Sequence, residues 1–248
     1  MNLKILTWNI FWGMGAPTSS THQKLHGLLY LKTTRDRAVI PKIAKRIKQL
    51  SPDIVALQEI DNGSVRNGKY DHIGAISSAA RLPFSHFAVE KAAAKYFGDG
   101  NALLSKEKPL RVAHRTLPYS IEKRNYVLAE YEREGKRFVV ITTHLAARRF
   151  NSAQRLSQVK ELCRVIRKIK HPIIVAADLN CNRDTEEFKY LVKNSKLRAI
   201  IDESTYPVYN PQKQYDCILV SKKWKVKEAR VVKTKLSDHY PIYAELKI

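Results

Sequence analysis

Cysteine is scarce in this chain: three among 248 residues, Cys163, Cys181 and Cys217. No two have metal-knuckle spacing, and an odd number does not suit a disulfide framework, so a reducing compartment fits best. Nor is there a run of the roughly 18 apolar residues that a membrane span requires. The opening apolar stretch, residues 1–12, lacks a small-residue cleavage site and is broken by Asn9; it reads as a first strand rather than a signal peptide. A cytoplasmic protein is therefore expected. No repeat, low-complexity tract or Pro/Ser-rich linker divides the sequence, so residues 1–248 are expected to form one domain. Acidic residues are also few, 23 against 45 Lys and Arg, for a formal charge of +22. An excess of that size fits an anionic partner: nucleic acid, an anionic phospholipid membrane or a phosphorylated substrate. No obligate protein partner is implied.

What the chain does have is short apolar runs separated by amphipathic stretches. Strands are expected at 3–10, 53–57, 84–89, 101–104, 173–177, 215–220, 224–232 and 240–246, with a hairpin of 126–131 and 137–143 around Glu134-Gly135. Helical spacing marks 36–50, 72–81 and 152–170. In the last of these Leu156, Val159, Leu162, Val165, Ile166 and Ile169 form the core stripe, and Arg155, Lys160, Arg164, Arg167 and Lys168 the wet side. Residues 13–30 read as a long loop. The fold class is α/β, with two facing sheets covered by helices.

One regularity points to chemistry. Polar residues of catalytic kind stand where apolar strands run out: Asn9 after 3–8, Glu59 after 54–57, His144 after 138–141, Asp178 and Asn180 after 173–175, and Asp238 and His239 before 241–242. Strand ends along one sheet edge can converge on one point, so distant residues can build one rigid site. Glu59 and Asp238 are hard oxygen ligands suited to Mg²⁺ or Mn²⁺. Two histidines and a further carboxylate can move protons. Two asparagines can hold a phosphate or a water without adding negative charge.

The ordered motifs Thr7-Trp8-Asn9, Leu57-Gln58-Glu59, Gly100-Asn101-Ala102-Leu103-Leu104-Ser105, Thr143-His144-Leu145, Ala177-Asp178-Leu179-Asn180, Tyr215-Asp216-Cys217-Ile218 and Ser237-Asp238-His239 resemble the endonuclease/exonuclease/phosphatase superfamily. That superfamily includes deoxyribonuclease I, abasic endonucleases, neutral sphingomyelinases, inositol polyphosphate 5-phosphatases and deadenylases. The resemblance spans residues 3–246. It implies a four-layer α/β/β/α sandwich of two mixed sheets packed face to face with helices outside, and a Mg²⁺- or Mn²⁺-dependent phosphoric ester hydrolase.

It also implies roles. Glu59 resembles the principal metal ligand, with Asn9 and Asp238 beside it. Asp216 and His239 resemble a dyad in which Asp216 orients the imidazole and His239 takes a proton from the attacking water. Asp178 would orient that water, Asn180 would hold a phosphate oxygen, and His144 would contact the phosphate and protonate the leaving oxygen. Asn101, Arg124 and Arg155 are substrate-binding candidates; for each arginine an ion pair that braces the fold is an equal alternative. The carboxylate partner of His144 stays open among Glu90, Asp99 and Glu122. Because Asp238 and His239 are adjacent, an extended strand would point them oppositely, and a turn or bulge is expected at 237–239.

For the substrate, a nuclease is favoured by the charge. Basic stretches at 42–48, 106–115, 148–149 and 222–235 could line a groove, with Tyr119, Tyr126 and Trp224 interleaved. The Thr143-His144-Leu145 motif resembles the deoxyribonuclease, sphingomyelinase and deadenylase side rather than the abasic endonucleases. An enzyme of phospholipid or inositol headgroups is the alternative, although 207–214 does not match the 5-phosphatase pattern. A non-catalytic nucleic-acid-binding module is the third reading, and four acids aimed at one point argue against it.

Overall fold

The computed structural model describes residues 1–23, 34–90, 97–147 and 149–248. Twelve strands form two mixed six-stranded sheets. The first runs β11 (Lys225–Val231), β12 (Ile242–Lys247), β1 (Asn2–Asn9), β2 (Ile54–Asp61), β4 (Asp99–Ser105), β3 (Phe84–Val89). The second runs β5 (Arg111–Thr116), β6 (Asn125–Arg133), β7 (Lys136–His144), β8 (Ile173–Asp178), β10 (Asp216–Val220), β9 (Arg198–Ala199). Among the described residues, only β1 with β2 and β7 with β8 pair in parallel.

Side-chain alternation divides these strands between two environments. In β1, Leu3 and Ile5 point into the space between the sheets, where they meet Val127, Phe138, Val140, Ile174 and Ile218 of the second sheet. Leu6 and Trp8 point the other way, onto Ile40, Ile43 and Ile47 of helix α1 (Asp36–Leu50) and Ile76 of α2 (His72–Ala80). The outer face of the second sheet packs in the same manner on α3 (Ser152–Arg167) and α4 (Glu186–Ser195). The result is the expected four layers with helices outside, and strands apolar on both faces because both faces are covered.

Several local expectations need correction. Helix α4 was not expected from the sequence. Thr185 caps it by accepting from the Phe188 amide, Glu186 and Glu187 occupy its first turn, and Phe188 and Leu191 are buried. Strands β5 and β9 also escaped expectation: β5 is an edge strand whose residues are mostly exposed, so it carries no apolar alternation. Helix α3 ends at Arg167 rather than 170. The supposed loop at 13–30 contains helical backbone at 20–23; its residues 24–30, and Arg148 of the basic pair Arg148-Arg149, lie outside the described residues. Among those described, no helix is long and apolar enough to cross a membrane.

At the end of the sandwich where β2 begins, Asp53 ties the two sheets together. It accepts from the Lys4 amide at 2.9 Å, from Lys106 at 3.0 Å and from Arg133 of β6 at 3.0 Å. Burial acts to raise its pKa, but these partners outweigh burial and leave it below 3.8. A carboxyl held low stabilises the fold above its unfolded value, and that contribution is lost as pH falls through the folded one. Asp53→Asn is expected to cost about 1 kcal/mol at neutral pH, a screened value because the partners are partly in solvent. The deficit should vanish in acid below both values, as urea midpoints at the two pH values will show.

Candidate active site

The opposite edge of the sandwich gathers the polar strand ends. In the second sheet the register alone accounts for half the site. His144 ends β7 opposite Asp178, which ends β8, and Asp178 lies opposite Asp216, which begins β10. Three neighbouring strands thus deliver three chemistry-bearing side chains at one level.

The first sheet needs a departure from regular backbone. The β2–β4 register slips between Leu57 and Ile60, and Glu59 takes φ +51°. This bulge breaks the alternation. Gln58 points into the inter-sheet space, where it donates to Thr142 at 2.9 Å and Thr7 at 3.2 Å, and Glu59 lines the cavity. Asn180 has a similar φ of +49° just beyond β8. Residues 237–239 form the expected bend, and Asp238 and His239 both line the cavity. Trp8 fixes that bend by donating to the His239 carbonyl at 3.0 Å, and the Ser237 hydroxyl donates to the Asn9 carbonyl at 2.7 Å.

Asp178 is the hub. Its Oδ2 accepts from the Asn9 amide at 3.0 Å and stands 3.7 Å from His144 Nε2 and 3.8 Å from His239 Nε2. Burial raises its pKa, but the charges of His239 and His144 and the bonds from Asn9 and Asn180 prevail and hold it low. His239 Nδ1 lies 2.7 Å from Asp216 Oδ2, which also accepts from the Thr205 hydroxyl at 2.5 Å. This dyad straddles the sandwich, since Asp216 belongs to the second sheet and His239 to a bend of the first. Burial alone would lower the His239 pKa; Asp216, Asp238 and Asp178 together raise it well above 6.5. Asp216 is itself raised, first by burial. The side chain of Tyr206 lies against the His239 ring, with centroids 4.5 Å apart. Thr205→Val, nearly isosteric, deletes only the hydroxyl that supports Asp216. A fall of about tenfold in kcat is expected with KM unmoved, and a Tm lowered by the few degrees that one lost hydrogen bond to a buried charged group costs.

His144 is held from both sides. The Asn180 amide is 2.7 Å from Nε2, and Arg124 Nη1 is 3.1 Å from Nδ1. An amide N–H group faces Nε2 and a guanidinium N–H group faces Nδ1, so the two neighbours fix the plane and position of the ring at the cavity wall. Glu90 is the nearest of the three carboxylates considered for His144, but at 4.0 Å, and Arg124 mediates between them with a 2.5 Å bond to Glu90 and a 2.9 Å bond to Glu122. Burial pushes Glu90 up to about 7 against the pull of Arg124.

Glu59 and Asp238 suit a cation. Among the described residues Glu59 accepts no hydrogen bond. Burial first, and then the charge of Asp238, raise its pKa well above 4.5. Asp238 is likewise pushed up to about 6, mainly by burial. Carboxylates pressed together in this way are relieved by a divalent ion, and their hard oxygens match Mg²⁺ or Mn²⁺. Asn9 Oδ1 already accepts from the Phe11 amide at 3.0 Å, which leaves one lone pair. The tightest acid–imidazole group is a different one, Asp178, Asp216 and His239, with ligand atoms within 4.8 Å of one another. Within it, His239 Nδ1 and Asp216 Oδ2 are already engaged with each other at 2.7 Å.

The structure therefore brings Asn9, Glu59, His144, Asp178, Asn180, Asp238 and His239 around one cavity of about 640 Å³, with Asp216 immediately behind. Asn101 is not among them. It is fully buried and does not line the cavity; it donates to Glu90 at 2.7 Å and to Asn125 at 2.9 Å, so it braces Glu90. Arg155 lines the cavity, yet it is 6% exposed, pairs with Glu187 at 3.2 Å and donates to the carbonyls of Ala146 and Ala147. Its place on a wet helix face is thus corrected. Gln23 and Tyr206 were not anticipated: Gln23 donates to Asp238 at 3.0 Å and to the Tyr206 hydroxyl at 2.7 Å. No motif marked either one, because each comes from a segment outside the sheets that only the fold brings to the site.

A model of the Endonuclease/Exonuclease/phosphatase family matches residues 6–239. No curated relative matches the chain by sequence. Solved structures share its fold. The human Nocturnin catalytic domain with bound sulfate anion is 20% identical with TM-score 0.72, covering 99% of this chain and 94% of that one. The Bacteroides thetaiotaomicron mannosyl-6-phosphatase Bt3783 is 15% identical with TM-score 0.71, covering 99% and 100%. A humanized D. rerio TDP2 is 17% identical with TM-score 0.71, covering 100% and 99%.

Proposed function

This chain belongs to the endonuclease/exonuclease/phosphatase family of phosphoester hydrolases, and on that premise we propose that it is a Mg²⁺- or Mn²⁺-dependent nuclease. The observation that carries the reading is the pair Asp216–His239 beside Asp178, facing across one cavity the Glu59 carboxylate, which accepts no hydrogen bond among the described residues. The +22 charge supports nucleic acid as the substrate, since neutralised phosphates dominate such affinity.

Asp216 accepts the Nδ1 proton of His239 and leaves Nε2 as the base. His239 takes a proton from a water that Asp178 orients between the two imidazoles. Asn180 holds a phosphate oxygen. His144, as the imidazolium, delivers a proton to the leaving oxygen and is left as neutral imidazole. Glu59, with Asp238 and Asn9 as further oxygen donors, would hold a divalent ion, which would supply positive charge against the phosphoryl oxygens.

One panel tests the reading: linear and supercoiled DNA, single-stranded RNA, sphingomyelin and phosphoinositides, with Mg²⁺ or Mn²⁺ and EDTA controls. Cleavage of nucleic acid that EDTA abolishes is the expected result. Headgroup release without strand cleavage would replace the nuclease by a lipid phosphodiesterase. Salt-sensitive DNA binding without any turnover would leave only a binding module.

A further inference from the structure

A second cavity, of about 620 Å³, adjoins the first and shares Glu59 and Ala147 with it. Its walls come from Trp12 and from the segment between β5 and β6, where Tyr119 is 58% and Ile121 65% exposed. These are among the few large apolar side chains that the described surface exposes, and the segment carrying them is firmly held. Gln154 Oε1 accepts from the amides of Ser120, Ile121 and Glu122 at 3.1, 2.9 and 3.3 Å and from the Ser120 hydroxyl at 3.0 Å; Gln154 Nε2 donates back to the Glu122 carbonyl. Asn151 adds a bond to Glu122 at 2.9 Å. A segment clamped by a buried glutamine presents its apolar side chains in fixed positions. An aromatic side chain fixed beside a reaction centre is a platform for a planar ring.

Charge indicates what else the occupant carries. Among the described residues the second cavity is lined by Glu59, Glu90, Asp99 and Glu122, against Lys123 and Arg124, and Arg124 is already engaged by Glu90, Glu122 and His144. Glu90 and Glu122 are themselves bonded to Arg124, Asn101 and Asn151, but four carboxylates against two cations leave the lining net negative, so it repels a phosphate and tolerates uncharged hydroxyl and amino groups. The far wall of the first cavity is the reverse. Asn182, Thr185, Tyr206, Lys213 and Tyr215 include no carboxylate and bring one cation.

We propose that the second cavity is a subsite for an unphosphorylated terminal nucleoside, whose base stacks on Tyr119 and Trp12 and whose hydroxyl and amino groups meet the acidic floor, so that the enzyme cuts at chain ends. The rest of the strand, with its phosphates, leaves past Lys213. The inference rests on the nuclease reading and adds what that reading lacks, the position of the cut. Two cavities flanking one centre also suit a diester, which carries a group on either side of phosphorus. In the hydrolysis the water oxygen bonds to phosphorus, the bond from phosphorus to one ester oxygen breaks, and that oxygen leaves as an alcohol with the proton it receives.

The test compares a linear oligonucleotide with hydroxyl groups at both ends, the same strand phosphorylated at one end or the other, and the same sequence closed into a circle. Cleavage of the open strand, a loss of about tenfold on phosphorylating one of its ends, and resistance of the circle are expected. Tyr119→Ala is expected to raise KM on the hydroxyl-ended strand about tenfold with kcat held, the scale of one lost base–aromatic contact. Circle and open strand cut at equal rates, or KM unmoved in Tyr119→Ala, would overturn the subsite while the nuclease reading stands. No cleavage of any strand, with turnover of a lipid or sugar phosphate instead, would overturn the nuclease reading itself. Tyr119 is exposed, and an unchanged Tm confirms that the fold is intact.

Discussion

His239→Ala is expected to slow hydrolysis about 10²- to 10⁴-fold, the usual contribution of a positioned general base. The imidazole is held by Asp216, Tyr206 and the bond from Trp8 to its own carbonyl, so a replacement water would lack both its basicity and its aim. Asp216→Asn should fall in the same range. An amide at that position can donate to Nδ1, which would place the ring's proton on the nitrogen that must accept one. The pH profile identifies the group. His239 must be neutral to act, so the wild-type rate climbs with pH through its pKa, and the variant loses that limb. Stability carries the opposite sign. A histidine whose folded value is raised stabilises the protein fully below its unfolded value near 6.5, and that contribution is lost as pH rises through the folded value. In EDTA the wild type should therefore lose more stability toward alkaline pH than His239→Ala. Full activity in His239→Ala would remove the residue from the mechanism.

Glu59→Gln should cost about 10³-fold or more in rate, because an ion bound there contributes several kcal/mol of charge stabilisation. The same variant is expected to be more stable than wild type in EDTA. Glu59 has a raised pKa because folding buries its charge beside Asp238, so ionisation at neutral pH works against the fold. Removing one charge relieves that repulsion. Adding Mg²⁺ or Mn²⁺ should reverse the order, since only the wild type gains the stabilisation of bound ligand. Thermal melts of both proteins with EDTA and with metal provide the check. If Glu59→Gln is destabilised in EDTA, the argument for a strained carboxylate pair fails.

The sequence made the buried strands and the residues at their ends legible, and for one reason. In β1, β2, β7 and β8 both faces are covered, so apolar runs are unbroken and the polar residue that ends each run stands out. The edge strand β5, Arg-Val-Ala-His-Arg-Thr, has no such contrast. Placing Arg155 on a wet face and missing α4 were a single error. Arg155 pairs with Glu187 in the first turn of α4, and without that helix no carboxylate stood out as its partner. The Thr185 cap followed by Glu186, Glu187 and Phe188 was the available signal. Asn101 illustrates a different difficulty. Its motif is visible in one dimension, but only the packing of β3, β4 and β6 shows the amide turned toward Glu90 and Asn125. The carboxylate near His144 stayed open because Arg124, which stands between His144 and Glu90, comes from a separate segment.

The dyad joins two independently hydrogen-bonded sheets, and this makes turnover a gauge of their alignment. A shear of about 1 Å between the layers would stretch the 2.7 Å contact between Asp216 and His239 beyond bonding range while every strand stayed paired. Catalysis should therefore fail at milder denaturant or pressure than far-UV ellipticity does.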